Sequence, residues 1–120
     1  PEHWAFEGTK MKKGDRVAQL VGWEYHGPPL AKHPDLVVLS EGPVYSASGE
    51  KRSGTYATTL YTARKGNLVF NAGTCWWNVV LSSPPGFQNP PRKDFRRSDP
   101  RIQRLTRNVL DRMIATKLAD

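Results

Sequence analysis

The sequence predicts an α/β domain: a mixed sheet with one amphipathic helix at its carboxy-terminal end. Three observations in its 120 residues predict this. Residues 66–82, GNLVFNAGTCWWNVVLS, run from a turn into a short apolar strand, break at Ala72-Gly73-Thr74, and resume as a second apolar segment. Residues 56–63, YATTLYTA, precede that strand across the turn Arg64-Lys65-Gly66-Asn67, the layout of an antiparallel hairpin. Asp99-Pro100 then opens a segment with Ile102, Leu105, Val109, Leu110, Met113 and Ile114 at helical spacing.

Taken in order, residues 1–19 are irregular. Glu7-Gly8-Thr9 and Lys12-Lys13-Gly14-Asp15 are turn chemistry, and His3, Trp4 and Phe6 are the large groups. Residues 17–25 read as a strand with Val17, Leu20, Val21 and Trp23 as apolar members; Gly22 lets another backbone come close. Glu24-Tyr25-His26-Gly27-Pro28-Pro29 then sets an acid, a phenol and an imidazole at a strand end and loop mouth. Leu36-Val37-Val38-Leu39 is a continuous apolar run of the buried-strand type, ended by Glu41-Gly42-Pro43. Residues 46–54 are a small polar loop.

The second apolar segment, from Cys75 to Leu81, can open a helix, with Thr74 as N-cap and Gly73 permitting the turn. A strand passing through such a turn into a helix is where α/β sheets place ligands. Residues 82–98 are a Pro-rich surface segment that excludes helix and central strand. Residues 99–116 are the helix, with Arg101, Arg104, Arg107 and Arg112 mostly off the apolar stripe.

The length fits one domain or a fragment of one. No apolar run reaches the ~20 residues of a membrane helix. The opening PEHWAFEG has no signal-peptide pattern and no initiator Met, so an amino end trimmed or cut from something longer is expected. Cys75 is the one cysteine, which excludes an internal disulfide and makes a reducing, cytoplasmic compartment the default. The net charge is +7, and residues 91–112 hold eight basic against three acidic residues. With no nucleic-acid module beside this charge, a helix face docking on an acidic partner is preferred to nucleic acid.

For chemistry, Cys75 after the turn is a candidate nucleophile at a helix amino end, set against a packed thiol beside Trp76-Trp77. His3, His26 and His33 lack metal spacing. Glu24, beside Trp23 and Tyr25, is a candidate general acid or base, set against a strand-end ion pair. Trp23 and Tyr25 can equally form an aromatic platform.

The segments HWAFEGTKMKKGD, VGWEYHGPP, YATTLYTARKGNLVFNAGTCWWNVVL and DPRIQRLTRNVLDRM together resemble the carboxy-terminal part of the N,N-dimethylformamidase large (β) subunit. VGWEYHG, FNAGTCWW and DPRIQRLTRN are the most specific pieces. More distantly, the order of elements is similar to trehalose-utilisation proteins of the class I glutamine-amidotransferase-like fold. The resemblance implies the carboxy-terminal part of a three-layer, flavodoxin-like domain. It implies a parent that hydrolyses a formamide to formate and an amine, with iron held by two tyrosines and a glutamate upstream of this chain. Glu24 then falls at a glutamate position near that iron and handles a proton, with His26 a weaker catalytic candidate. Trp23, Tyr25, Asn71, Gly73, Thr74 and Cys75 become the substrate pocket, Cys75-Trp76-Trp77 setting its floor. No metal ligand is assigned within the chain. The implied partners are the rest of the polypeptide, a small subunit or second copy, and a small amide substrate. The fragment alone is expected to be inactive. The rival reading is a non-catalytic binding or assembly module, for a carbohydrate or protein, using Trp23, Trp76 and Trp77 as a stacking surface.

Overall fold

The computed structural model describes residues 2–17, 20–46, 48–82 and 98–116. Within them, β1 (Leu36–Tyr45), β2 (Arg52–Thr62) and β3 (Leu68–Asn71) form one sheet in that order, and α1 (Pro100–Ala115) follows. Two 3₁₀ turns, Trp4–Phe6 and Trp77–Val80, complete the regular elements. The combination of sheet and helix agrees with the α/β class. The expected mixed sheet is corrected: both strand pairings among the described residues are antiparallel. The reason is connection length. Both links, residues 46–51 and 63–67, are too short for the crossover of a dozen residues that a parallel neighbour needs.

The expected hairpin forms with Leu60 opposite Phe70 and Thr62 opposite Leu68. Its turn uses Gly66 at φ 85°, a conformation glycine adopts without steric cost. The first strand departs from expectation in two ways. It runs past Glu41-Gly42-Pro43 to Tyr45, and Val37 and Val38 are each 38% exposed rather than buried. Both follow from its place at the sheet edge, where among the described residues only β2 lies beside it. An edge strand tolerates a proline without an N–H, and the register shifts after Val38 and Val44 mark irregularities typical of edges.

Residues 20–24, part of the expected strand over 17–25, are not paired as a strand; only Tyr25 makes an isolated bridge, to Thr74. A side chain has taken the backbone groups a ladder would use. The Thr74 hydroxyl accepts from Gly22 N (3.0 Å) and donates to Leu20 O (3.0 Å). The expected helix after Thr74 is also corrected, to the single 3₁₀ turn Trp77–Val80. Its last carbonyls are occupied by α1: Asp99 N donates to Val80 O (2.8 Å) and Gln103 Nε2 to Leu81 O (2.7 Å).

The carboxy-terminal helix forms as its cap dictates. Asp99 accepts from Arg101 N (2.9 Å) and Pro100 occupies the first helical position. Ile102, Leu105 and Val109 are buried, whereas Leu110 and Ile114 are 52% and 83% exposed, so the buried stripe is narrower than the spacing suggests. The helix closes one core with Ala5, Leu20, Leu60, Trp77 and Val80. Trp77 meets Phe70 edge-on at 5.4 Å and donates from Nε1 to Thr106 Oγ1 (3.0 Å).

The amino-terminal turn docks on α1, where Asn108 Nδ2 donates to Ala5 O (3.0 Å) and Glu7 O (2.8 Å). Arg112 stacks over Trp4 at 5.5 Å, Arg101 pairs with Asp99 and Arg107 with Asp111. Of the Pro-rich segment over 82–98, residues 83–97 lie outside the described residues. Among the described residues no helix is long and apolar enough to cross a membrane.

Candidate functional site

The site is built where β3 ends and residues 22–26 cross it. At the Tyr25–Thr74 bridge, Cys75 N donates to Glu24 O (3.3 Å) and His26 N to Gly73 O (2.9 Å). On its other side His26 O accepts from Ala57 N (2.9 Å). This strap therefore occupies the flank of β2 that β3 leaves after Asn71. The close approach is possible because Gly73 has φ 74° and no side chain; a Cβ there would run into the Ala57 carbonyl. Gly22 is used in the same way, packed against Cys75 Sγ and the Trp76 ring. Thr74 Oγ1 accepts from Trp76 N (3.2 Å) besides its bonds to Leu20 O and to Gly22 N. The N-cap role expected of Thr74 is corrected: the 3₁₀ turn is capped at Trp76 without a side-chain bond, and the Thr74 hydroxyl serves Leu20, Gly22 and Trp76 N instead.

Beneath the strap, the Tyr56 hydroxyl bonds Ser40 Oγ (2.9 Å) and Thr58 Oγ1 (2.8 Å), and Thr58 donates to Ala72 O (3.0 Å). This hydroxyl relay ties β1, β2 and the end of β3, and nothing in the residue order points to it, since its members come from separate segments. At the end of β3, Asn71 Oδ1 accepts from Gly73 N (2.9 Å), and Asn71 Nδ2 reaches the strap, 2.8 Å from His26 Nδ1. The Asn-Ala-Gly order is a signal for such a side-chain turn.

The structure brings Glu24, Tyr25, His26, Asn71, Gly73, Thr74 and Cys75 to one place. Glu24 is exposed and its carboxylate has no hydrogen bond or ion pair among the described residues. Tyr25 is half-buried with its hydroxyl over Gly54. Glu24 and His26, which flank Tyr25, are both exposed. Cys75 is exposed, so it is not the packed thiol that the floor of a pocket requires. Of the tryptophans, Trp23 is 77% exposed, Trp76 is half-buried and Trp77 lies in the core, so the three do not share one stacking surface. An open cleft of about 460 Å³ lies elsewhere, at His33, Asp35, Tyr61 and Arg64.

The resemblance implies two tyrosines and a glutamate for the iron, none of them assigned in this chain. No three His, Cys, Asp or Glu side chains converge among the described residues. The Tyr56 hydroxyl is committed to Ser40 and Thr58, and Tyr61 rests against His33.

A family model described as N,N-dimethylformamidase beta subunit-like, C-terminal, matches residues 1–92. The chain belongs to that family. The match covers the strap and all three strands and stops before α1, so DPRIQRLTRN at 99–108 lies beyond it. No curated protein and no solved structure matches the chain.

Proposed function

We propose that this dimethylformamidase-like domain forms one wall of the active site of an amide hydrolase. The parent converts a formamide and water to formate and an amine. The observation that carries the reading is the strap at residues 22–26. It lies within the family match, is clamped by backbone bonds to Gly73, Cys75 and Ala57, and leaves Glu24 and His26 open. A rigid backbone carrying an unpaired carboxylate suits proton transfer, because the acid is held in place and its oxygens are uncommitted. Glu24 handles the proton that reaches the leaving amine, and Trp23, Tyr25, Asn71, Gly73, Thr74 and Cys75 frame the substrate. The iron implied for the parent is held outside this chain. The flavodoxin-like layering belongs to the completed parent domain, of which these strands are a part. Its partners are the rest of the polypeptide and a small subunit or second copy, in the cytoplasm.

The second reading, a binding module for carbohydrate or protein, is favoured by Trp23, whose ring is 77% exposed. Formate release and bound iron, measured on the full-length parent and on this chain, separate the two. The hydrolase reading expects both from the parent and neither from the chain. A parent that releases no formate from any small formamide contradicts it.

A further inference from the structure

We propose that Asn71 is a positioning residue that fixes His26 as a neutral hydrogen-bond donor, and that His26 Nε2–H binds the carbonyl oxygen of the amide. The ligand part rests on the hydrolase reading above; the positioning part does not.

Donors and acceptors can be assigned in turn. Gly73 N–H can only donate, and it lies 2.9 Å from Asn71 Oδ1, so that oxygen is the acceptor and the amide cannot be flipped. Asn71 therefore presents its NH₂ to His26 Nδ1 at 2.8 Å. Two donors cannot face each other at that distance, so Nδ1 is the unprotonated nitrogen and the ring proton resides on Nε2. His26 Nε2 has no partner among the described residues, and the residue is exposed. Its backbone is held on both sides, by Gly73 O and by Ala57 N. The result is a fixed N–H donor two residues from the open carboxylate of Glu24. A donor beside an acceptor suits an amide: the oxygen, which gains negative charge as water adds, faces His26, and the nitrogen, which gains a proton as it leaves, faces Glu24.

A base at His26 would need a free ring nitrogen, and the Asn71 bond leaves none. The test has two arms. In the first, the chain is labelled with ¹⁵N-histidine and its ring nitrogens are read by long-range correlation at about pH 8, above the ordinary histidine range. In the wild type His26 shows an unprotonated Nδ1 and a protonated Nε2. In Asn71→Asp the new carboxylate accepts both from Gly73 N and from the ring, and the proton moves to Nδ1. A variant whose proton stays on Nε2 overturns the positioning role. In the second arm, formate release by the full-length parent is compared for His26→Ala and His26→Gln. Gln keeps an N–H at similar reach but cannot act as a base. Loss of an oxygen donor is expected to lower kcat by about 100-fold in His26→Ala and by less than about 10-fold in His26→Gln. Equal losses in both variants, or none in His26→Ala, overturn the donor role. A wild-type parent without formate release overturns the hydrolase reading and the amide with it; the tautomer measurement still decides the role of Asn71 by itself.

Discussion

At Gly73 the backbone sits at φ 74° against the Ala57 carbonyl, so any side chain meets both a strained dihedral and a backbone collision. Gly73→Ala is expected to cost about 3 kcal/mol or more, read as a lowered urea midpoint. Its neighbour Thr74 carries three hydrogen bonds on one hydroxyl, to Leu20, Gly22 and Trp76. Thr74→Val keeps the shape and strands those backbone groups, for a loss of about 2 kcal/mol, while Thr74→Ser keeps most of the stability. The same residues show why part of the site is hidden in the sequence. Glu24, His26 and Asn71 are legible as polar groups in apolar surroundings. The Asn71–His26 bond joins positions 45 apart, and no local pattern encodes it.

Among the elements, α1 is the most legible, because its start is encoded in adjacent residues, Asp99-Pro100. Asp99→Ala removes the cap and the Arg101 pair and is expected to cost about 1–2 kcal/mol by chemical denaturation. The hydrogen bond from Arg101 and its charge hold the Asp99 carboxyl below its usual value of 3.8, against the opposing effect of burial. With the folded value depressed, its contribution is complete above that range and is lost as pH falls through the lower folded value. Over the described residues 20–24, the strand expected at 17–25 does not form, for a physical reason. Its Gly22 N–H and Leu20 carbonyl are taken by Thr74, a partner no periodicity reveals. The edge position of β1, which allows Pro43, is likewise a fact about neighbours rather than composition.

The amino-terminal turn adds a second pH effect. His3 Nδ1 accepts from Ala5 N (3.2 Å), which only the unprotonated nitrogen can do, and burial lowers its pKa from 6.5. The unfolded chain therefore takes up the proton first. Docking of the turn on α1 should weaken as pH falls below about 6.5. Melting temperatures across that range should drop more for the wild type than for His3→Asn, which caps without titrating.

For the whole molecule, Leu60 of the sheet, Leu20 just ahead of the strap, Trp77 just after Thr74 and Ile102, Leu105 and Val109 of the helix share one core. The segments that carry the site are thus anchored in the buried core at Leu20 and Trp77. Family membership over residues 1–92 covers this arrangement but not α1, whose buried stripe completes the core from outside the match. Whether Glu24 belongs to an amide-hydrolysing wall is tested most directly by formate release from the full-length parent, wild type beside Glu24→Gln. A fall in kcat of about 10²–10⁴-fold with the fold intact is expected. Hydrolysis by the variant at the parental rate would contradict the assignment of Glu24.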